Sequence, residues 1–156
     1  PDKCIRNTMI LQEAFIKIAS DASTANRTFD GSTTEWRSSD GSNTINELDV
    51  TCNTDALLET EWSATWSRTG SVPADYSDDH AAAFRVLVDG AEVARVMRSP
   101  RSRHQDHAYL VGAAPVQGGK HRISVEIRQW TFGSDEAHGK TTVVNERELI
   151  VRAFKR

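Results

Sequence analysis

The chain has 156 residues, enough for one domain that buries about two-thirds of its unfolded surface. A formal net charge of −3, with 26% charged residues, points to neither a basic nucleic-acid-binding surface nor an acidic tail. There is no run of 18 apolar residues, so no membrane-spanning helix is expected.

The first residues, Pro1-Asp2-Lys3-Cys4, do not read as a secretory signal. A leading proline fits removal of an initiator methionine in a cytosol, and it fits an excised domain equally well. The two cysteines, Cys4 and Cys52, are either a staple between an N-terminal arm and a strand or two separate thiols. A bridge closing roughly 50 residues adds about 3–4 kcal/mol in the chain-entropy model, and a cytosolic origin argues against it. Neither cysteine has the CxxC company of a zinc or redox site.

Thr8 to Ala19 carries two patterns. Leu11, Ala14, Phe15 and Ile18 have helical spacing behind a Thr8 cap, whereas Ala14, Ile16 and Ile18 alternate as in a strand. The β-branched Ile16 and Ile18 favour a first strand, with room for a helical turn ahead of it. Ser20 to Asn43 is long and polar, with Asp30-Gly31 and Asp40-Gly41 as turn signals and Trp36 as its one large anchor. Short pairing is expected around Thr33 to Arg37. Asn26-Arg27-Thr28 matches a glycosylation acceptor, a pattern that Ser/Thr-rich segments produce by chance. Residues 1–32 thus read as an arm and first strand, and residues 33–156 as the body of the domain.

Ile45 to Cys52 alternates, with Leu48, Val50 and Cys52 set against Glu47, Asp49 and Thr51. After a turn at Asn53-Thr54-Asp55, Leu57 to Ser67 alternates more cleanly, with Leu58, Trp62, Ala64 and Trp66 inward. The two tryptophans lie about 13 Å apart on one face. They read either as an aromatic platform for sugar rings or as sandwich core, and Leu58 and Ala64 on the same face favour core. Beyond a loop from Thr69 to His80, Asp89-Gly90 separates Phe84–Val88 from Ala91–Met97, a strong hairpin signal. Arg98 to His107 reads as a basic loop, His107 to Val111 as a short strand, and Pro115 to Gly119 as a turn.

Lys120 to Arg156 then reads as one long hairpin. Ile123, Val125 and Ile127 alternate with charged neighbours; a polar loop from Gly133 to Gly139 follows; Thr141–Val144 and Arg147–Phe154 return. Leu149-Ile150-Val151 is apolar on both faces, which suits an interior strand. The total is about eight strands, no helix and no repeat: an all-β antiparallel sandwich of jelly-roll type with an N-terminal arm.

Chemical motifs are sparse. Gly139-Lys140-Thr141 ends like a phosphate-binding loop, but the glycine spacing is wrong, Asp135 and Glu136 repel phosphate, and no helix follows. Asp78-Asp79-His80 and His104-Gln105-Asp106-His107 offer ligand atoms that need further partners to hold a metal. There is no GxSxG elbow and no nucleophilic cysteine signature. No catalytic residue and no cofactor are expected. The densest positive cluster, Arg98, Arg101, Arg103 and His104 with Arg95 and His107, is either a solvated loop or a contact for an acidic partner surface.

Trp62-Ser63-Ala64, the Phe84-to-Gly90 hairpin, Gly118-Gly119-Lys120-His121-Arg122-Ile123-Ser124-Val125 and the terminal Arg147-Glu148-Leu149-Ile150-Val151 resemble the jelly-roll domains of tumour necrosis factor and the complement globular heads. Similar domains recur in bacteriophage fibres and capsid decoration proteins. The resemblance spans roughly Thr33 to Phe154. It implies a non-enzymatic homotrimer, made in a host cytoplasm and carried on a virion, with a capsid or fibre protein as partner. Residues 1–30 have no counterpart in it. A carbohydrate- or receptor-binding module is the alternative, with Trp36, Trp130 and Tyr76 as stacking faces for a glycan. A hydrolase on the same scaffold comes third, with no constellation to carry it.

Overall fold

In the computed structural model, which describes residues 15–29, 36, 43–69, 80–98, 105–131 and 141–156, the chain is a two-sheet antiparallel sandwich. Its strands are β1 (Phe15–Ser23), β2 (Arg27–Phe29), β3 (Thr44–Cys52), β4 (Ala56–Thr69), β5 (His80–Val88), β6 (Ala91–Arg98), β7 (Asp106–Val116), β8 (Gly119–Thr131) and β9 (Thr141–Lys155). Sheet A runs β1-β9-β4-β7, with β2 also paired to β9, and sheet B runs β3-β8-β5-β6. Apart from the β5–β6 hairpin, each connection from β3 onward crosses from one sheet to the other, which is the jelly-roll arrangement.

Two expectations change. Lys120 to Arg156 is not a hairpin, because β8 pairs with β3 and β5 in sheet B while β9 pairs with β1, β2 and β4 in sheet A. Alternation marks a strand's buried face but does not name its partner, and here both partners are distant in sequence. The segment from Ser20 to Asn43 is also less loop-like than its polarity suggests, since β1 runs to Ser23 and β2 adds a second pairing along β9. The helical turn considered before β1 and the pairing proposed for Thr33–Arg37, Trp36 aside, lie outside the described residues.

The core follows from alternation. Leu58, Trp62 and Trp66 of β4 are fully buried, and the Phe84 ring centroid is 5.2 Å from that of Trp62 and 5.5 Å from that of Trp66. Sheet B contributes Val50, Val86, Ile123, Val125 and Ile127. The Asp89-Gly90 turn has φ of 51° and 83°, the pair of left-handed conformations that lets a two-residue turn match the strand twist.

Strand β9 holds the interior place that Leu149-Ile150-Val151 implies, between β1 and β4. It contains a bulge. Ala64 pairs with Arg147 and Trp66 with Val144, so Asn145 and Glu146 together oppose Thr65. The extra residue switches the buried set from Thr142 and Val144 to Leu149, Val151 and Ala153. The two halves of β9 therefore face one core with opposite parity.

Candidate functional site

The outer faces of the two sheets differ. On sheet B, Ala81, Ala83 and Leu87 are buried although they alternate with the core-facing residues of β5. Trp36 lies over this face, with the Arg85 and Arg95 guanidinium carbons 4.5 Å and 5.3 Å from its ring centroid. Arg85 in turn holds the buried Glu126 through Nη2–Oε2 and Nε–Oε2 contacts of 2.7 Å and 3.0 Å. Asn43 donates its amide to the Trp36 carbonyl. An aromatic ring against ion-paired cations covers part of β5 and β6 on this face, while Met97 of β6 and Arg122 of β8 stay exposed on it.

The outer face of sheet A carries most of the exposed apolar surface. Of the four large exposed hydrophobic residues among those described, three lie on it: Leu57 on β4, and Tyr109 and Val111 on β7, the last two more than half exposed. The register of β9, β4 and β7 arranges this face in rows. Phe154, Leu57 and Pro115 form one end; Arg152, Glu59 and Ala113 come next; Ile150, Glu61 and Val111 follow. Arg152 Nη1 lies 3.0 Å from Glu59 and 2.9 Å from Glu61, and these two bonds hold its guanidinium above its usual range.

The far end of the face changes character. There Ala22, Glu148, Ser63 and Tyr109 share one row across all four strands, and Thr65 and His107 form the next. These residues border a groove of about 580 Å³. Tyr109 stands opposite Ser63, yet its hydroxyl donates 3.2 Å to Glu61 Oε1, one step along β4. Partial desolvation and the Glu61 bond both raise the phenol above its ordinary range.

The residues singled out in the sequence are scattered. Arg98 is exposed at the end of β6, while Arg101, Arg103, His104 and Tyr76 lie outside the described residues, as does the Trp130 side chain. Cys52 is buried at the end of β3, and Cys4 lies outside the described residues. Asp106 and His107 sit on β7, where the Asp106 carboxylate accepts the His107 backbone N–H at 2.8 Å. Among the described residues no three His, Cys, Asp or Glu side chains gather as a metal-binding group. Sequence reasoning missed the groove. Its lining comes from four strands, and the only local cue was Tyr109 alternating with buried Ala108 and Leu110.

No protein-family model and no curated protein matches the sequence. Among solved structures, 229 chains match. Dimeric latent PorU from Porphyromonas gingivalis superposes with a TM-score of 0.51 at 10% identity, over 92% of this chain and 13% of that one. The sugar-binding EclA C-terminal domain gives 0.47 at 16% identity, over 83% and 79%. The VP2 subviral particle of infectious bursal disease virus gives 0.47 at 13%, over 87% and 32%. At these identities the likeness concerns fold alone. The class established is an all-β, jelly-roll sandwich domain.

Proposed function

We propose that this domain is a non-enzymatic structural module that assembles through the outer face of sheet A. The form we infer is a homotrimer carried on a virion, as a capsid decoration or fibre module bound to a capsid or fibre protein. The observation that carries the reading is the exposure of Leu57 (37%) and Val111 (52%) on one sheet face, beside half-buried Ile150 and Phe154. Contiguous exposed apolar surface of this kind marks an interaction site more often than a solvated one. The ion-paired Arg152, Glu59 and Glu61 lie within the same rows and would fix the register of a partner more than its affinity.

Sedimentation equilibrium of the whole chain tests this. Three copies are expected at micromolar concentration, and Leu57→Glu with Val111→Glu should give a folded monomer. A wild-type monomer over the same range overturns the assembly reading.

A second reading, a carbohydrate- or receptor-binding module, is favoured by the exposed Tyr109 at the groove end of the same face. Trp36 fits that role less well, because Arg85 and Arg95 lie over its ring.

A further inference from the structure

We infer that the groove over Ser63, between Tyr109, His107 and Glu148, binds a neutral oligosaccharide. This deepens the second reading by giving it a site. It rests on that reading and not on assembly: the groove begins at the Ser63–Tyr109 row, beside the Glu61–Val111 row, while Leu57 lies at the opposite end of the face.

The argument begins with Tyr109. Its Cα partner is Ser63, but its hydroxyl reaches Glu61, the next outward residue on β4. A ring that makes that diagonal leans across toward β4 and does not stand upright. It therefore offers a face to solvent, and Tyr109 is 54% exposed. Its hydroxyl is already anchored, so little side-chain freedom remains to be lost when a ligand stacks on the ring.

The neighbours supply what a sugar needs around such a ring. Glu148 is opposite Ser63 on β9, with two oxygens able to accept from adjacent hydroxyls. Ser63, Thr65 and His107 add groups that donate and accept. Ala22, beyond Glu148, keeps the floor low on that side. A pyranose combines an apolar C–H face with a rim of hydroxyls, and this lining combines a flat apolar ring with a rim of polar groups. The volume of about 580 Å³ falls within the ~300–1,000 Å³ of small-molecule sites and exceeds the needs of one sugar.

Charge narrows the class. Glu146 and Glu148 border the groove against the single guanidinium of Arg147, which is turned to the Ala25 carbonyl, so carboxylates outnumber fixed cations two to one. Sialylated, sulfated or phosphorylated glycans would meet carboxylates, so uncharged sugars are selected.

The test is titration of the whole chain with neutral trisaccharides (maltotriose, cellotriose, laminaritriose and chitotriose), with sialyllactose and a heparin oligosaccharide alongside, followed by amide chemical shifts. At least one neutral trisaccharide should shift the Ala22, Ser63, Thr65 and His107 signals. Tyr109→Ala should weaken it about tenfold, and Tyr109→Phe, which keeps the ring, much less. Leu57→Glu should leave the affinity per site unchanged. Neutral-glycan binding that survives Tyr109→Ala and disappears with Trp36→Ala would overturn this site and leave the module reading standing. No binding of any glycan by the wild-type chain would overturn both, and preference for the anionic glycans would overturn the neutral class. Should Tyr109→Ala fail to fold, shifts in the wild-type protein confined to residues away from the groove decide against it.

Discussion

His121 and Asp89 join two turns that are far apart in sequence. His121 Nδ1 lies 2.7 Å from Asp89 Oδ2, and its Nε2 lies 2.8 Å from the Gln117 carbonyl oxygen. Both partners are acceptors, so both ring nitrogens must donate, and only the imidazolium has two N–H groups. The bond to Asp89 raises the His121 pKa above its ordinary value, against the opposing effect of burial. At Asp89, partial desolvation works against ionisation, but the bonds from His121 and the Arg122 backbone prevail and lower its pKa.

A pH dependence follows with a definite sign. His121 is raised in the folded state, so its contribution is fully present below the unfolded value of about 6.5 and is lost as pH climbs through the higher folded value. Asp89 is lowered, so its contribution is present above about 3.9 and is lost as pH falls through the folded value. Thermal midpoints should be highest between about pH 4 and 6.5. Asp89→Asn keeps a residue suited to the positive φ and an acceptor for the Arg122 N–H, but removes the charge. It should cost about 0.5–1.5 kcal/mol near pH 5, since the Asp89 carboxylate is half exposed and screened, and flatten the alkaline decline. An unchanged slope between pH 6 and 8 in His121→Gln would exclude the pair as its source.

Trp62 does two jobs. Its ring fills the core at 0% exposure, and its Nε1 donates 2.9 Å to Asn46 Oδ1, while Asn46 Nδ2 donates 2.8 Å to Asp21 Oδ2 on β1. Trp62→Phe removes volume and leaves a buried amide oxygen without its donor. The expected loss is about 2–4 kcal/mol in urea unfolding. Amide exchange in β1 should quicken more than in β4 if the chain of bonds holds β1 in place; uniform quickening would mean packing alone.

Gly112 of β7 packs tightly against Val93 of β6, where edge strands of the two sheets meet. A Cβ there would stand 2.8 Å from the Val93 backbone oxygen and 2.9 Å from Val93 Cγ2. A backbone atom cannot rotate aside, so Gly112→Ala must part β6 from β7. Denaturation should show a loss of about 1–3 kcal/mol, and the double variant with Val93→Ala should recover only the side-chain part.

The bulge in β9 gives a sharper expectation. Deleting Asn145 leaves one residue opposite Thr65, so either Thr142 and Val144 or Leu149, Val151 and Ala153 must turn outward. The variant should not fold cooperatively, whereas Asn145→Gly, which keeps the count, should. Cooperative unfolding of the deletion with a near wild-type midpoint would refute the parity argument.

Several features were readable one residue at a time. The inward set Leu58, Trp62, Ala64 and Trp66 is buried as its alternation predicts, and Asp89-Gly90 makes the hairpin that its dipeptide signals. Leu149-Ile150-Val151 marks an interior strand because both its faces are apolar, and Ile150 is half-buried even on the outer side. Each of these is written in neighbouring residues. A strand's period of two, a turn's need for positive φ and an interior strand's double-sided apolarity are local properties, so a sequence can state them alone.

Partnership is not local, and only the tertiary structure decided it. Lys120 to Arg156 carries two good strand patterns, and nothing in either prevents them from pairing; they part because β8 pairs with β3 and β5, and β9 with β1, β2 and β4. The groove depends on the same pairings, since Ala22, Glu148, Ser63 and Tyr109 become one row only when four strands take their register. Alternation assigns each residue a side of its own strand. Which residues then share that side across a sheet is set by long-range hydrogen bonding and by burial of both inner faces together.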